Sequence, residues 1–298
     1  MSMDMTLLPP PAVIESLDFE IILQTRKAQF QQLCDDAGVE YALVLESDPV
    51  AKLLEVMAYQ ELLMRQRIND AAKACMLAYA KGTDLDNLAA NYQVTRLIVT
   101  TADPDAVPPV AAVYEDDERF RERIQLAPEG ITTAGPVDSY RFHTLTASAQ
   151  VASVAVDSPI PGTVRVTVLS TDDSGVATEA LLDTVRAALN VEKIRPLCDA
   201  VLVQDADIIE TAIVATVYRK EGAAGDIALS NGKAALAKWL LSVRKLGEGL
   251  ALSGIDAALH QPGVKRVEIS TPAADVLCTN TQWVRISGVT VLEEVVSE

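Results

Sequence analysis

Between Asp48 and Gly82 the chain carries a helical rhythm longer than a small domain needs. Ser47-Asp48-Pro49 opens it: a side chain able to cap free amides, then a proline already set to helical φ. Leu53, Leu54, Met57, Leu62, Met64, Ile68, Ala71, Ala72, Cys75, Met76 and Tyr79 follow. They lie mostly three or four residues apart, as one helix face requires. Gly82 is the expected stop. Residues 50–81 would give about 32 residues of helix, roughly 48 Å at 1.5 Å per residue. The other face is mixed, with Lys52, Glu55, Gln60, Glu61, Arg65, Gln66, Arg67, Asp70 and Lys73. Such a rod either spans its own domain or joins a bundle with other chains. The residues alone leave both readings open.

The rod ends in AKGTDLDNLAANYQVTR, residues 80–96, which reads as helix stop, tight turn, short helix, then strand. Thr83-Asp84-Leu85-Asp86 has the logic of a capping box with Asp86 in place of Glu, and Leu85 and Leu88 anchor the short helix. Asp84, Asp86 and Asn87 lack the alternating ligands, glycine and distal Glu of a calcium loop, so helix capping explains them. A distinctive joint without catalytic residues points to assembly rather than to an enzyme.

The net charge of −17 is spread along all 298 residues, with no basic patch to drive phosphate-backbone binding. Aromatic residues are only 4%, too few for base-stacking platforms. No nucleic-acid partner is therefore expected, and the acidity reads as solubility. No apolar run approaches the roughly 20 residues of a membrane span, and the start MSMDMTLLPPP lacks the features of a signal peptide. We therefore expect no membrane insertion, and a product that stays in the cytoplasm or leaves by lysis. Cys34, Cys75, Cys198 and Cys278 match no zinc spacing and read as buried reduced thiols.

Elsewhere, residues 15–36 read as a helix bearing Leu17, Ile21, Ile22, Leu23, Phe30 and Leu33, ended by Gly38 and followed by an apolar stretch at Tyr41–Leu45. TTADPDAVPPV, residues 100–110, reads as a proline-bearing linker. Glu115-Asp116-Asp117-Glu118 precedes Arg119, Phe120, Arg121 and Arg123, which suits a solvated helix face or a docking edge. Thr133-Ala134-Gly135-Pro136 starts a helix over Val137–Ser148. Val151–Val156 and Val164–Leu169 alternate with period two, and Asp157–Gly162 joins them as a hairpin. Helices follow at 179–190, 227–244 and 253–260. Strands follow at 201–203, 211–218 and 264–270, with a closing hairpin over 283–296. Helix, turn and strand at Ser139–Val156 recur at Ser253–Ile269.

The expected class is α+β: a long N-terminal helical region followed by two small α/β units with mixed sheets. The divisions are 1–100 for the helical region, with the bundle-forming helix at 50–81; 101–135 for linker and charged helix; 136–205 and 206–298 for the two units.

No nucleophile motif accompanies His143 or His260, which read as structural or surface residues. GxGxxG, P-loop, GxSxG and HExxH are all missing. Glu221–Gly225 reads as a plain loop. The sequence offers no catalytic residue, no metal set and no cofactor site.

Four segments carry a family resemblance: residues 42–96, ALVLESDPVAKLLEVMAYQELLMRQRINDAAKACMLAYAKGTDLDNLAANYQVTR; residues 117–148, DERFRERIQLAPEGITTAGPVDSYRFHTLTAS; residues 151–170, VASVAVDSPIPGTVRVTVLS; and Ile194-Arg195-Pro196-Leu197 followed by Cys198-Asp199-Ala200-Val201. In this order they resemble the baseplate J-like family, wedge proteins of contractile phage tails and phage-tail-like bacteriocins. The family commonly has glycine before the Val and Arg that end the joint. Gln93 stands there in this chain, which weakens the case for a required left-handed backbone at that point.

The resemblance implies a structural, non-enzymatic role. Copies would pair with one another and with a second, smaller wedge protein through a helical bundle. Linked wedges would form a ring around the hub, next to the sheath initiator, and couple host contact to sheath contraction. Assembly would take place in the host cytoplasm, with release by lysis. Leu54, Met57, Met64 and Ile68 are the candidate bundle residues, and the C-terminal unit is the candidate ring contact. A tail-carried cell-wall hydrolase and a receptor-binding tail protein are the rivals; the first needs a site the sequence does not offer, the second repetitive β-structure.

Overall fold

A computed structural model describes residues 5, 8–9, 11–41, 47–132 and 135–296. It divides into a helical unit, Met1–Thr95, and a body, Arg96–Glu298.

In the helical unit, α1 spans Phe19–Asp36 and α2 spans Pro49–Ala74. Helix α1 starts four residues later than the periodicity suggests. Asp18 accepts from the amides of Glu20 and Ile21 and so fixes its start. Asp48 caps α2 as expected, accepting from Val50 N at 2.8 Å. The Tyr41 hydroxyl also donates to Asp48, which holds that carboxyl below its ordinary value and pushes the phenol up. Ile22 and Leu23 of α1 pack on Leu54 and Ala58 of α2, with Phe19, Phe30, Val50 and Leu62 around them. Ala58 is the small residue in this contact, and Ala51 is buried as well. Most of the stretch Tyr41–Leu45 lies outside the described residues.

Helix α2 is 26 residues long, about 39 Å, and so shorter than the periodicity suggests. It stops at Ala74 because Met76–Ala80 turns on itself, with Tyr79 N and Ala80 N both donating to Met76 O. Gly82, φ 51°, then opens α3, Gly82–Ala90, instead of merely ending α2.

The body opens with a small hairpin, β1 (Ile98–Thr100) and β2 (Val113–Tyr114). The proline-bearing segment 100–110 is the loop of this hairpin. Asp103 and Val110 pair through both backbone bonds, and the Asp103 carboxylate accepts from Asp105 N and Ala106 N. Helix α4 (Asp117–Leu126), a 3₁₀ turn (Ala127–Ile131) and α5 (Val137–Ala147) follow. The expected α5 start at Thr133-Ala134 lies outside the described residues.

Strands β3 (Val151–Ile160) and β4 (Thr163–Ser170) form the hairpin that the alternation suggests, but longer. Its turn is only Pro161-Gly162: proline presets the first position and glycine takes φ 82° at the second. Helix α6 (Glu179–Leu189) crosses over to β5 (Ala200–Asp205), which lies parallel to β4. The sheet order is β3-β4-β5, and α5 and α6 bury Tyr140, Leu145, Leu181, Val185 and Leu189 against Val151, Val166, Val168 and Val203.

Ala206 alone separates β5 from β6 (Asp207–Lys220). Helix α7 begins at Ala223 and runs to Ser242, so the expected loop at Glu221–Gly225 is only two residues long. Helix α8 (Leu252–Leu259) and β7 (Val264–Thr271) follow. The expected closing hairpin is a single strand, β8 (Gln282–Val296), parallel to β6. Gly288 sits where the register shifts between Thr211 and Ile213, so the strand bulges there and runs on. In this β7-β6-β8 sheet, Ile213, Ala215 and Val217 meet Leu236, Ile255 and Leu259 of the helices. The α+β class thus holds, with a helical unit ahead of two three-stranded sheets.

Candidate assembly face and joint

Helix α2 is apolar on two sides. Its inner face is satisfied within the chain: Leu54, one of the four candidate residues, is 7% exposed and packs on α1. The other three point elsewhere. Met57 (52%), Met64 (68%) and Ile68 (60%) are exposed, and so is Leu53 (60%). Their spacing returns to one stripe of a 3.6-residue helix, away from Ala51, Leu54 and Ala58. Val56, Tyr59 and Leu63 widen the exposed surface on one side. The candidate bundle set omits Leu53, and the helical rhythm omits Val56 and Leu63. Ala58 is the available signal, because a small residue marks the side where helices approach.

Ion pairs brace the helix without covering this stripe. Arg26 Nε donates to Glu61 at 2.6 Å, and Arg65 bridges Glu61 and Glu15. The bond from Arg26, with Arg65 beside it, holds the Glu61 carboxyl below its ordinary value. Asn69, buried, accepts from Glu15 N and donates to Glu15 O, tying the segment before α1 to α2.

The joint closes α3 with a Schellman turn. Val94 N donates to Ala89 O at 3.2 Å and Gln93 N to Ala90 O at 3.1 Å. Gln93 has φ 57°, so the left-handed backbone is present although the residue is not glycine. This corrects the expectation from the sequence. Helix α1 ends in the same pattern with Gly38 at φ 66°, Val39 N donating to Cys34 O and Gly38 N to Asp35 O. Hydrogen bonds and the buried Val94 impose the conformation on Gln93.

Within the body, the charged run is only in part a solvated face: Asp116 and Glu118 are exposed. Glu115, Arg121 and Arg123 are buried. Glu115 pairs with both Arg119 and Arg123, and its Oε1 also accepts from Leu97 N at 2.9 Å. Arg119 donates to the carbonyls of Leu145, Ser148 and Val151. Burial pulls the Arg123 guanidinium below its ordinary value, and Glu115 opposes the shift. Arg96 donates to Glu115 O and Asp117 Oδ1, each at 2.8 Å, and lies 4.6 Å from the Phe120 ring centre. The bases face inward: Arg119 finds carbonyls at the end of α5 and the start of β3, Arg123 finds Glu115, and Arg121 pairs with Glu118.

His143 lies on α5 in edge contact with Phe142, and burial pulls its imidazole below the ordinary value. His260 follows α8. All four cysteines are free thiols, and none is fully buried; Cys75 and Cys198 are exposed. Burial pushes the half-buried Cys278 thiol up. A cavity of about 550 Å³ beside α7 and β8 is lined by Leu240, Leu250, Trp283 and Ile286, with Arg244 and Arg285 at its edge, and no histidine or cysteine reaches it. Among the described residues, no three His, Cys, Asp or Glu side chains cluster as a metal site, and no helix is long and apolar enough to cross a membrane.

Three family models match in chain order: the baseplate J-like N-terminal domain at residues 46–103, the baseplate J-like central domain at 132–205, and the baseplate J-like protein C-terminal domain at 211–292. The chain is also 46% identical over 282 residues to baseplate protein J of Escherichia phage P2, covering 94% of this chain and 93% of that protein. The first match takes in α2 and the joint, and the other two fall on the two sheet-bearing parts of the body, so the chain belongs to the baseplate J-like family.

Proposed function

We propose that this protein is a structural baseplate component of a contractile tail, with the exposed stripe of α2 as its bundle-forming face. The observation that carries this is the pairing of faces on α2. Leu54 and Ala58 are buried within the chain, while Met57, Met64 and Ile68, with Leu53, are left in water. A contiguous apolar stripe on a helix is the usual seat of another helix. Copies of the chain and a smaller wedge protein supply the partner helices. The C-terminal sheet unit makes the contact that links wedges into a ring around the hub and next to the sheath initiator. Members are made in the host cytoplasm and leave in the particle at lysis. The role is non-enzymatic.

The test is a Met57→Asp/Met64→Asp double variant, followed by circular dichroism and by pull-down with the other baseplate proteins. The expected result is unchanged helicity with loss of assembly. Unfolding of the isolated chain would instead make the stripe internal core. Incubation with purified peptidoglycan should release no fragments. Deletion should abolish particle assembly, not merely adsorption to the host.

A further inference from the structure

We infer that the C-terminal sheet joins a second copy of the chain edge to edge, with β8 of one copy antiparallel to β7 of the next. The strand order is β7-β6-β8, so β7 and β8 are both edges among the described residues. An edge strand presents unpaired backbone donors and acceptors, a template for another strand unless it is short, charged, broken by proline or covered. Strand β8 is 15 residues long and free of proline. Beyond its bulge at Gly288 it leaves Val289, Leu292 and Val295 exposed, with Glu293 and Glu294 as the charges there.

Charge and register select the occupant. Arg266 of β7 and Glu294 of β8 are each paired in register with Tyr218 of β6, so the three stand in one row. Tyr218 follows Val217, which packs on the helices, so this row lies on the face away from α7 and α8. Arg266 lies 4.2 Å from the Tyr218 ring centre and pairs with Glu268 at 3.2 Å, yet its side chain stays 63% exposed. Glu294 is exposed and forms no ion pair among the described residues.

Let β8 take, beside the next copy's β7, the place that β6 holds beside its own. Glu294 then faces Arg266, and Val291 faces Ile269. The first pair is opposite in charge and the second is β-branched and apolar, both favourable across strands. Pairing β8 with β8 would instead crowd Glu293 and Glu294 of both copies. A joint between two different edges is head-to-tail and can repeat from copy to copy. The inference rests on the reading that the C-terminal sheet unit links copies, and it specifies the contact.

The experiment is oxidative cross-linking of the full chain with its native cysteines replaced by serine. Leu292→Cys and Glu268→Cys, both level with Thr216, are carried by separate chains. The expected result is a disulfide dimer from the mixture and none from either chain alone. Glu294→Lys added to the Leu292→Cys chain should abolish the dimer. Arg266→Glu added to the Glu268→Cys chain should then restore it, which also shows that the variants fold. Dimers from either chain alone at the rate of the mixture would overturn the inference. So would a mixture that yields none, or a Glu294→Lys loss that Arg266→Glu does not reverse. A photo-reactive residue in place of Leu292 that captures another baseplate protein and not this chain would overturn the choice of a second copy. Electron microscopy of the same mixtures separates the two readings. Particles that assemble without the disulfide overturn the edge contact and leave the baseplate role standing.

Discussion

Arg123 and Glu115 meet inside the body with side chains 2% and 0% exposed. A buried pair is costly to form and more costly to break, because removing one partner leaves the other charge without compensation. Glu115→Gln keeps the shape and strands two guanidinium groups. It should destabilise the body by about 3–5 kcal/mol, measured by denaturant unfolding. Glu115→Ala should in addition expose the Leu97 amide to hydrogen exchange, since Glu115 Oε1 is that amide's acceptor.

Gln93 holds a left-handed backbone that glycine adopts freely. Gln93→Gly should leave the helical unit as stable or firmer by up to about 1 kcal/mol. Gln93→Val, β-branched, should weaken it by about 1–2 kcal/mol. Hydrogen exchange at Val94, whose amide closes the turn, reads both effects.

The two faces of α2 should respond oppositely to truncation. Leu54→Ala opens a hole between α1 and α2 and should cost the helical unit about 2–5 kcal/mol. Met64→Ala, on the exposed face, should stay within about 0.5 kcal/mol. Exchange rates of the α1 and α2 amides distinguish the two without interference from the body.

Acid should act on the body through His143. Its folded-state value is lowered by burial, so below about pH 6.5 the unfolded chain binds a proton that the folded chain resists. Stability is therefore full above the ordinary histidine value and falls as pH drops through that value toward the folded one. His143→Phe should flatten this part of the profile. The check is unfolding free energy measured between pH 7.5 and 5, ranges chosen to bracket about 6.5.

Gly175 has φ 74°, and a Cβ placed there would lie 2.5 Å from Cζ3 of Trp283. Gly175→Ala must move the indole, and should destabilise the body by about 1–3 kcal/mol or more. A shift in Trp283 fluorescence beside a lowered melting temperature would show both effects.

Local chemistry was the most readable part of the sequence. Asp48-Pro49 announced α2, and strict alternation on either side of Pro161-Gly162 announced the β3–β4 hairpin. The exposed stripe was half readable. Periodicity gave the helix but could not say which of two apolar sides faced inward, so Leu54 was grouped with Met57, Met64 and Ile68. What escaped depended on distant partners. The run Glu115–Arg123 looks amphipathic in the polar sense, and it takes the carbonyls of Leu145, Ser148 and Val151 to hold Arg119 and the buried Glu115 to hold Arg123 on the inner side. The proline-rich segment reads as a linker until Asp103 and Val110 are seen to pair. Residues 283–296 read as a closing hairpin until β6 is found alongside both halves of β8.

The one-residue passage at Ala206 fixes more than an angle. In a pleated strand, one residue more or less turns every later side chain to the opposite face. Lengthening the chain at Ala206 would send Ile213, Ala215 and Val217 into water and bring Val214 and Thr216 toward α7 and α8. Insertions and deletions should therefore be intolerable here and easy in the β1–β2 loop, where Val107 already stands 99% exposed. Length variation among relatives of this chain would record that contrast, site by site.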